Sequence, residues 1–403
     1  MTETWFLATL WLGLALFATL LSIWLRIATA LSEIVVGTVA QLIIGALISS
    51  AVLGVHEPWI KFLAGTGAII LTFLAGAELD PDVFKTKWKE ATALGLSGFI
   101  APFLGCAAMA HYVLGWDMRA SWIAGVALST TSVAVVYAVM LETGLNTTKY
   151  GKVVLAGCFI NDLGTVLALG FIFAPFTMKT LIFAGVSIPV FFLLPYVTPR
   201  FFKKYGGRPS EMEAKFLLLC LFGMGGLAAW ADSEAVLPAY MIGMVLAGTV
   251  GKDHSLVRRL RTLTFGLLTP FYFIRAGSFV SIPTLIAGPW VFLILLLGKI
   301  ANKFISVYPV TKFYKSPLKE GMYTTLLMST GLTFGSISAL FGLSHNIIDT
   351  AQYTFLIAAV VGSAVIPTLI ANAFFLPRHL LETAPKDNGA VAVANNSNES
   401  LTT

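Results

Sequence analysis

Thirteen apolar runs, most of them near twenty residues long, divide almost the whole chain. They fall at roughly 5–25, 34–54, 62–79, 90–113, 120–142, 150–174, 180–199, 213–231, 235–250, 258–281, 287–308, 320–342 and 351–376. A helix of about 20 residues, rising 1.5 Å per residue, covers the roughly 30 Å hydrocarbon core of a bilayer. Only 11% of the residues are charged and 57% are hydrophobic, against about 25% charged in soluble domains. In water such a chain would expose large apolar patches. In lipid the backbone must satisfy its own polar groups, which leaves helices or a closed barrel. Uninterrupted runs, rather than alternation, select helices. The expected fold class is therefore an all-α polytopic membrane protein with about 13 transmembrane helices.

The basic residues give a direction. With the N-terminus outside and thirteen crossings, 20 of the 26 Lys and Arg fall on the cytoplasmic side, the Lys85/Lys87/Lys89 and Arg258/Arg259/Arg261 clusters among them. Only Lys61, Arg119 and Lys179 fall outside. The net charge of +6 is thereby explained as topology, and no nucleic-acid partner is implied. The first run lacks the basic stretch of a signal peptide and reads as a mature helix. Cys106, Cys158 and Cys220 lie in apolar runs, and neither a disulfide nor a cysteine metal site is expected. Residues 1–381 read as one membrane domain and 382–403 as a polar, disordered cytoplasmic tail.

Charges inside spans are costly and are functional candidates. Asp162 lies near the middle of the sixth run, Arg275 in the tenth and Lys299 near the middle of the eleventh; Glu78 and Asp80 end the third. Lys303 is placed nearer the cytoplasmic end, where its chain can snorkel. Asp162 and Lys299 each stand about 12 residues into their runs, roughly 18 Å deep. A carboxylate that can hold a proton or a monovalent cation, with bases at similar depth, is the minimum for cation/proton exchange. A structural ion pair between Asp162 and a base is the alternative.

Two further runs carry polar interruptions: Ser129-Thr130-Thr131-Ser132 in the fifth and Ser329-Thr330-Gly331-Leu332-Thr333 in the twelfth. Both can unwind and offer carbonyls and half-helix ends to an ion; hydroxyls that bond back to the preceding turn are the alternative. Seven spans separate the two breaks, which fits two inverted six-helix repeats with interrupted crossing helices.

These pieces together resemble the monovalent cation:proton antiporter-2 family. The resemblance rests on Phe73-Leu-Ala-Gly-Ala-Glu78-Leu-Asp80, Ala127-Leu-Ser-Thr-Thr-Ser-Val-Ala-Val-Val136, Asn161-Asp162 and Lys299, and covers about residues 5–380. It implies a sodium/proton antiporter-like fold, a homodimer of scaffold plus mobile core, and elevator-type alternating access in a bacterial or archaeal inner membrane. It makes Asp162 the ion and proton carrier, Asn161 its neighbour, Thr131 and Ser132 the lining of the crossing, and Lys299 the basic partner. The Asn161-Asp162 pair implies electroneutral exchange, as Asn-Asp does in related exchangers; a Lys299 that gives up its proton when the cation binds is the alternative, and would make the cycle move charge. Arg275 is an addition, expected to pair with Glu78 or to hold Asn161. The cation is Na⁺, K⁺ or Li⁺, with Na⁺ favoured. Neither cofactor nor enzymatic activity is implied, and no C-terminal regulatory domain is expected. A potassium/proton antiporter and a cation-coupled solute symporter are the rival readings. An intramembrane aspartyl protease would need a second facing aspartate, and a channel would conduct without coupling to pH.

Overall fold

The computed structural model describes residues 2–25, 27–47, 53–77, 81–173, 177–231, 233 and 235–380. The expectations for Glu78, Asp80 and the tail lie outside these residues. Among them every regular element is a helix. The first helices are α1 (Thr2–Leu25), α2 (Thr29–Leu47), α3 (Pro58–Ala77), α4 (Pro81–Tyr112, kinked at Lys87), α5 (Met118–Ser129) and α6 (Val133–Thr143). The middle of the chain forms α7 (Lys149–Phe173), α8 (Met178–Tyr205), α9 (Met212–Trp230), α10 (Val236–Leu246), α11 (His254–Leu263) and α12 (Thr269–Ser278). The last are α13 (Ile282–Ala287), α14 (Pro289–Phe313), α15 (Leu318–Met328), α16 (Thr333–Ser344) and α17 (Thr350–Ile370).

Within the described residues each of the thirteen apolar runs contains helix. Among the described residues ten spans are long and apolar enough to cross a membrane, counting α5 with the start of α6, and α15 with α16, as one each. Thr29–Ile44 and Val236–Leu246 are apolar but shorter. The run at 258–281 is divided by a π-helical turn, Thr264–Leu268, between α11 and α12. The chain is an integral membrane protein: α1 and α8 turn Trp5, Phe6, Phe17, Leu181, Phe192 and Leu193 outward, which only lipid makes favourable.

Packing follows the rule for helices in lipid, where small residues let backbones approach. A Cβ at Gly243 of α10 would run into the Phe73 carbonyl of α3, so glycine is required at that contact. Two apolar clusters flank the centre of the molecule. One gathers α4, α6, α7, α14 and α15 around Leu94, Val136, Val154, Val307 and Leu327. The other gathers α3, α8, α9, α10 and α11 around Phe73, Leu221, Ile242 and Leu256.

Candidate functional site

The two polar interruptions are breaks, and they meet. α5 stops at Ser129 and Thr130 turns extended, with φ −61° and ψ 151°. α15 stops at Met328, and Leu332, with φ −151° and ψ −73°, precedes Thr333, the first residue of α16. Hydroxyls make these stops possible in an apolar surrounding. A half-helix leaves its last carbonyls unpaired. Ser129 and Thr130 donate to the carbonyls of Val126 and Ala127 at 2.9 Å, and Ser329 and Thr330 to those of Thr325 and Leu327 at 2.7 Å. The breaks are then tied together. Ser132 N–H donates to the Thr330 carbonyl at 3.2 Å, and the Thr131 hydroxyl to the Met328 carbonyl at 2.8 Å. The alternative in which the hydroxyls only bond back along a continuous helix does not hold, because the backbone departs from helix at both places.

Beside this crossing α7 presents Asn161 and Asp162, which are 0% and 1% exposed. The Asn161 carbonyl accepts from Thr165 at 3.2 Å. The side-chain oxygen and nitrogen of Asn161 and Oδ1 of Asp162 are buried and bond no protein atom. α7 is fixed on both flanks. Tyr240 of α10 donates to the Phe159 carbonyl at 2.8 Å, and the Cys158 thiol meets the Met328 sulfur at 3.5 Å.

The bases come from α14. Lys299 and Lys303 are one turn apart, on one face, and both are 0% exposed. The Lys299 ammonium lies against Gly331, where any Cβ would overlap Nζ; it too bonds no protein atom. Lys303 donates to the Thr131 hydroxyl at 2.9 Å. Both lysines are within electrostatic reach of Asp162, but no ion pair within 4.0 Å joins either to it among the described residues. The half-helices α5 and α15 end here, so their negative dipole ends face the two ammonium groups.

The structure brings Asp162, Asn161, Thr130, Thr131, Ser132, Lys299 and Gly331 together, with Thr333 opening the far half-helix. It places Arg275 elsewhere. Its Nε donates to the Val55 carbonyl at 2.9 Å, and its guanidinium lies 5.1 Å over the Phe279 ring. The expected hold on Asn161 does not form, since both Asn161 side-chain atoms are free of it; a carbonyl in the loop before α3 is the nearer acceptor. Lys303 also departs from expectation. It does not snorkel, because α14 runs on to Phe313 through Pro309 and places Lys303 mid-helix. The signal was present in the sequence as the four-residue spacing from Lys299. Glu33 of α2, 2% exposed, is a further buried charge that the run boundary at 34 left out.

A cavity of about 520 Å³ lies between the two clusters, lined by Leu74, Val133, Ala156, Phe159, Lys152 and Arg258 among others. Phe159 is one turn from Asp162, so the cavity approaches the crossing from the loop ends of α7 and α11.

Comparison with known proteins gives a family and a fold. The family described as sodium/hydrogen exchanger, transmembrane, matches residues 12–376. Cation/H(+) antiporter 17 of Arabidopsis thaliana is 25% identical over 396 residues, which is 90% of this chain and 48% of the relative. The chain thus spans about half the length of that plant protein. Probable Na(+)/H(+) antiporter 3 of Methanocaldococcus jannaschii is 25% identical, covering 79% of this chain and 84% of the relative. The fold is similar to that of the sodium proton antiporter MjNhaP1 from the same organism at pH 8, with a TM-score of 0.70 and 17% identity over 95% of this chain and 98% of that one.

Proposed function

This chain belongs to the sodium/hydrogen exchanger family, and from that premise we propose that it is a secondary active transporter exchanging a monovalent cation, Na⁺ first, for protons. One observation carries the reading. Asp162 Oδ1 and Asn161 Oδ1 are buried beside two broken helices and bond to no protein atom. Leaving a buried carboxylate oxygen without a protein partner is expensive, unless a proton or a dehydrated cation takes it in turn. Asp162 is then the carrier and Asn161 a neutral oxygen beside it. Thr131, Ser132 and the carbonyls of the breaks complete the shell, and Lys299 balances the charge when the cation has left. The pair contains one titrating acid, so one proton replaces one cation and the cycle is electroneutral.

The remainder of the reading concerns movement and placement. The cluster carrying α4, α6, α7, α14 and α15 is the mobile core, and the cluster around α3 and α8 to α11 is the scaffold of a homodimer. The cavity between them is the path from the cytoplasm, and an elevator-type displacement of the core exposes Asp162 to each side. The N-terminus is outside and the C-terminus cytoplasmic. The test is purified protein in proteoliposomes with an internal pH dye, challenged with Na⁺, K⁺, Li⁺ and choline. Na⁺ moves protons and choline does not. A K⁺ response exceeding that to Na⁺ reassigns the substrate, and a flat response to every ion contradicts the proposal. A steady-state gradient that follows a valinomycin-imposed potential would contradict one-for-one exchange.

A further inference from the structure

We propose that the ammonium of Lys303 is a tethered stand-in for the transported cation: it occupies the Thr131 hydroxyl oxygen that the cation takes, and must leave when the cation binds. This rests on the antiport reading above and gives a role in it to a residue that the sequence places at the membrane surface.

The geometry is specific. Thr131 sits inside the first break, and its hydroxyl proton is committed to the Met328 carbonyl at 2.8 Å, the C-terminal end of the half-helix α15. Its oxygen is therefore left as an acceptor, and Lys303 Nζ fills that role at 2.9 Å. The result is a chain of three groups, Lys303, Thr131 and Met328, that joins α14 to both breaks. Ends of two half-helices, each carrying partial negative charge, need a positive partner where they are buried. A bound monovalent cation would supply it, and in its absence Lys303 does. The charged or ionisable groups around Lys303 are Lys299 on its own helix, Asp162 and Cys158 on α7, and Cys106 on α4. Asp162 is the one carboxylate in that set, so a cation and two ammonium groups compete for a single negative charge. Lys299 differs from Lys303 in bonding no protein atom. It can respond to Asp162 without disturbing the crossing, whereas Lys303 cannot be displaced without releasing Thr131.

The occupied oxygen gives an opposite sign from a structural role. A lysine that merely braces the crossing lowers stability when removed and leaves cation affinity unchanged or weaker. A competitor lowers affinity while present, so removing it tightens binding. Lys303→Gln keeps a donor for Thr131 without charge, and Lys303→Met removes both. In proteoliposomes each is expected to lower the apparent KM for the cation by about tenfold, the scale of one charge-assisted hydrogen bond. In detergent, saturating Na⁺ should raise Tm more in both variants than in the wild type, because the cation then fills an unoccupied site. A variant that unfolds without cation should be rescued by it. Adding Thr131→Val to Lys303→Met should abolish the gain, a coupling that a double-mutant cycle measures. Wild-type protein without cation-driven proton movement would sink the antiport reading. Wild-type exchange with the KM and the cation-induced Tm increment unchanged in both Lys303 variants would sink only the stand-in. So would variants that stay unfolded in saturating cation.

Discussion

Helix α8 and the crossed pair α5/α6 and α15/α16 break the rules of helix propensity in opposite directions. α8 contains Pro189, Pro195 and Pro199, yet it runs unbroken from Met178 to Tyr205. The crossing segments contain no proline, yet both stop in mid-membrane. The difference lies in surroundings. In the apolar stretch of α8 17% of residues are buried within the protein, against 83% and 89% in the two crossing segments. Facing lipid, α8 has nothing to receive a freed backbone group and stays helical at the cost of a few lost bonds. Inside the bundle, the hydroxyls of Ser129, Thr130, Ser329 and Thr330 donate to the freed carbonyls, and the Thr330 carbonyl accepts the Ser132 N–H across the crossing. Interruption in a membrane is thus decided less by the breaker than by who receives the backbone it frees.

That contrast can be broken most directly at two glycines. Gly331→Val drives a side chain into Lys299 Nζ, whereas Gly185 in α8 has nothing within 4 Å of a new Cβ. Gly331→Val should cost about 1–3 kcal/mol and lower exchange at least roughly hundredfold, as a small misplacement at a reacting centre does. Gly185→Val should match the wild type in both Tm and flux, and equal effects of the two would end the distinction.

The next effect sharpens the crossing itself. One proton competing with one cation for Asp162 makes the apparent cation KM rise about tenfold per unit fall in pH, at pH values below the carboxyl's own titration. Lys299→Gln should displace that profile along the pH axis while leaving maximal flux measurable. An unmoved profile would take the counter-charge role away from Lys299.

Arg275→Gln removes the bond to the Val55 carbonyl far from the crossing. Thermal unfolding should register a loss of about 1 kcal/mol, with the KM and pH profile unchanged. Leu193→Ala on the outward face of α8, where Leu193 is 59% exposed, should stay within about 0.5 kcal/mol.

Much of this was legible in the sequence because lipid leaves few choices. A hydroxyl run inside an apolar helix has to be either packed or broken, and the two runs at 129–132 and 329–333 marked the breaks to within a few residues. The depth of Asp162 and Lys299 was legible by counting at a fixed rise per residue. Lys303 was misread because the end of its run was placed at 308, which brought it near the surface; the helix continues to Phe313. Glu33 escaped for the same reason at the other end of a run. The bond from Arg275 to Val55 had no signal at all. Its acceptor is a backbone carbonyl 220 residues away, and carbonyls carry no sequence.

The central claim is that Asp162 alternates between proton and cation. Asp162→Asn keeps the size of the side chain and removes its charge and its titration. Wild type and variant should be reconstituted side by side at equal density, after matched Tm values confirm folding, and cation-driven proton flux followed with an internal pH dye. The account predicts that the variant falls to the flux of protein-free vesicles. Exchange by Asp162→Asn at close to the wild-type rate would contradict it.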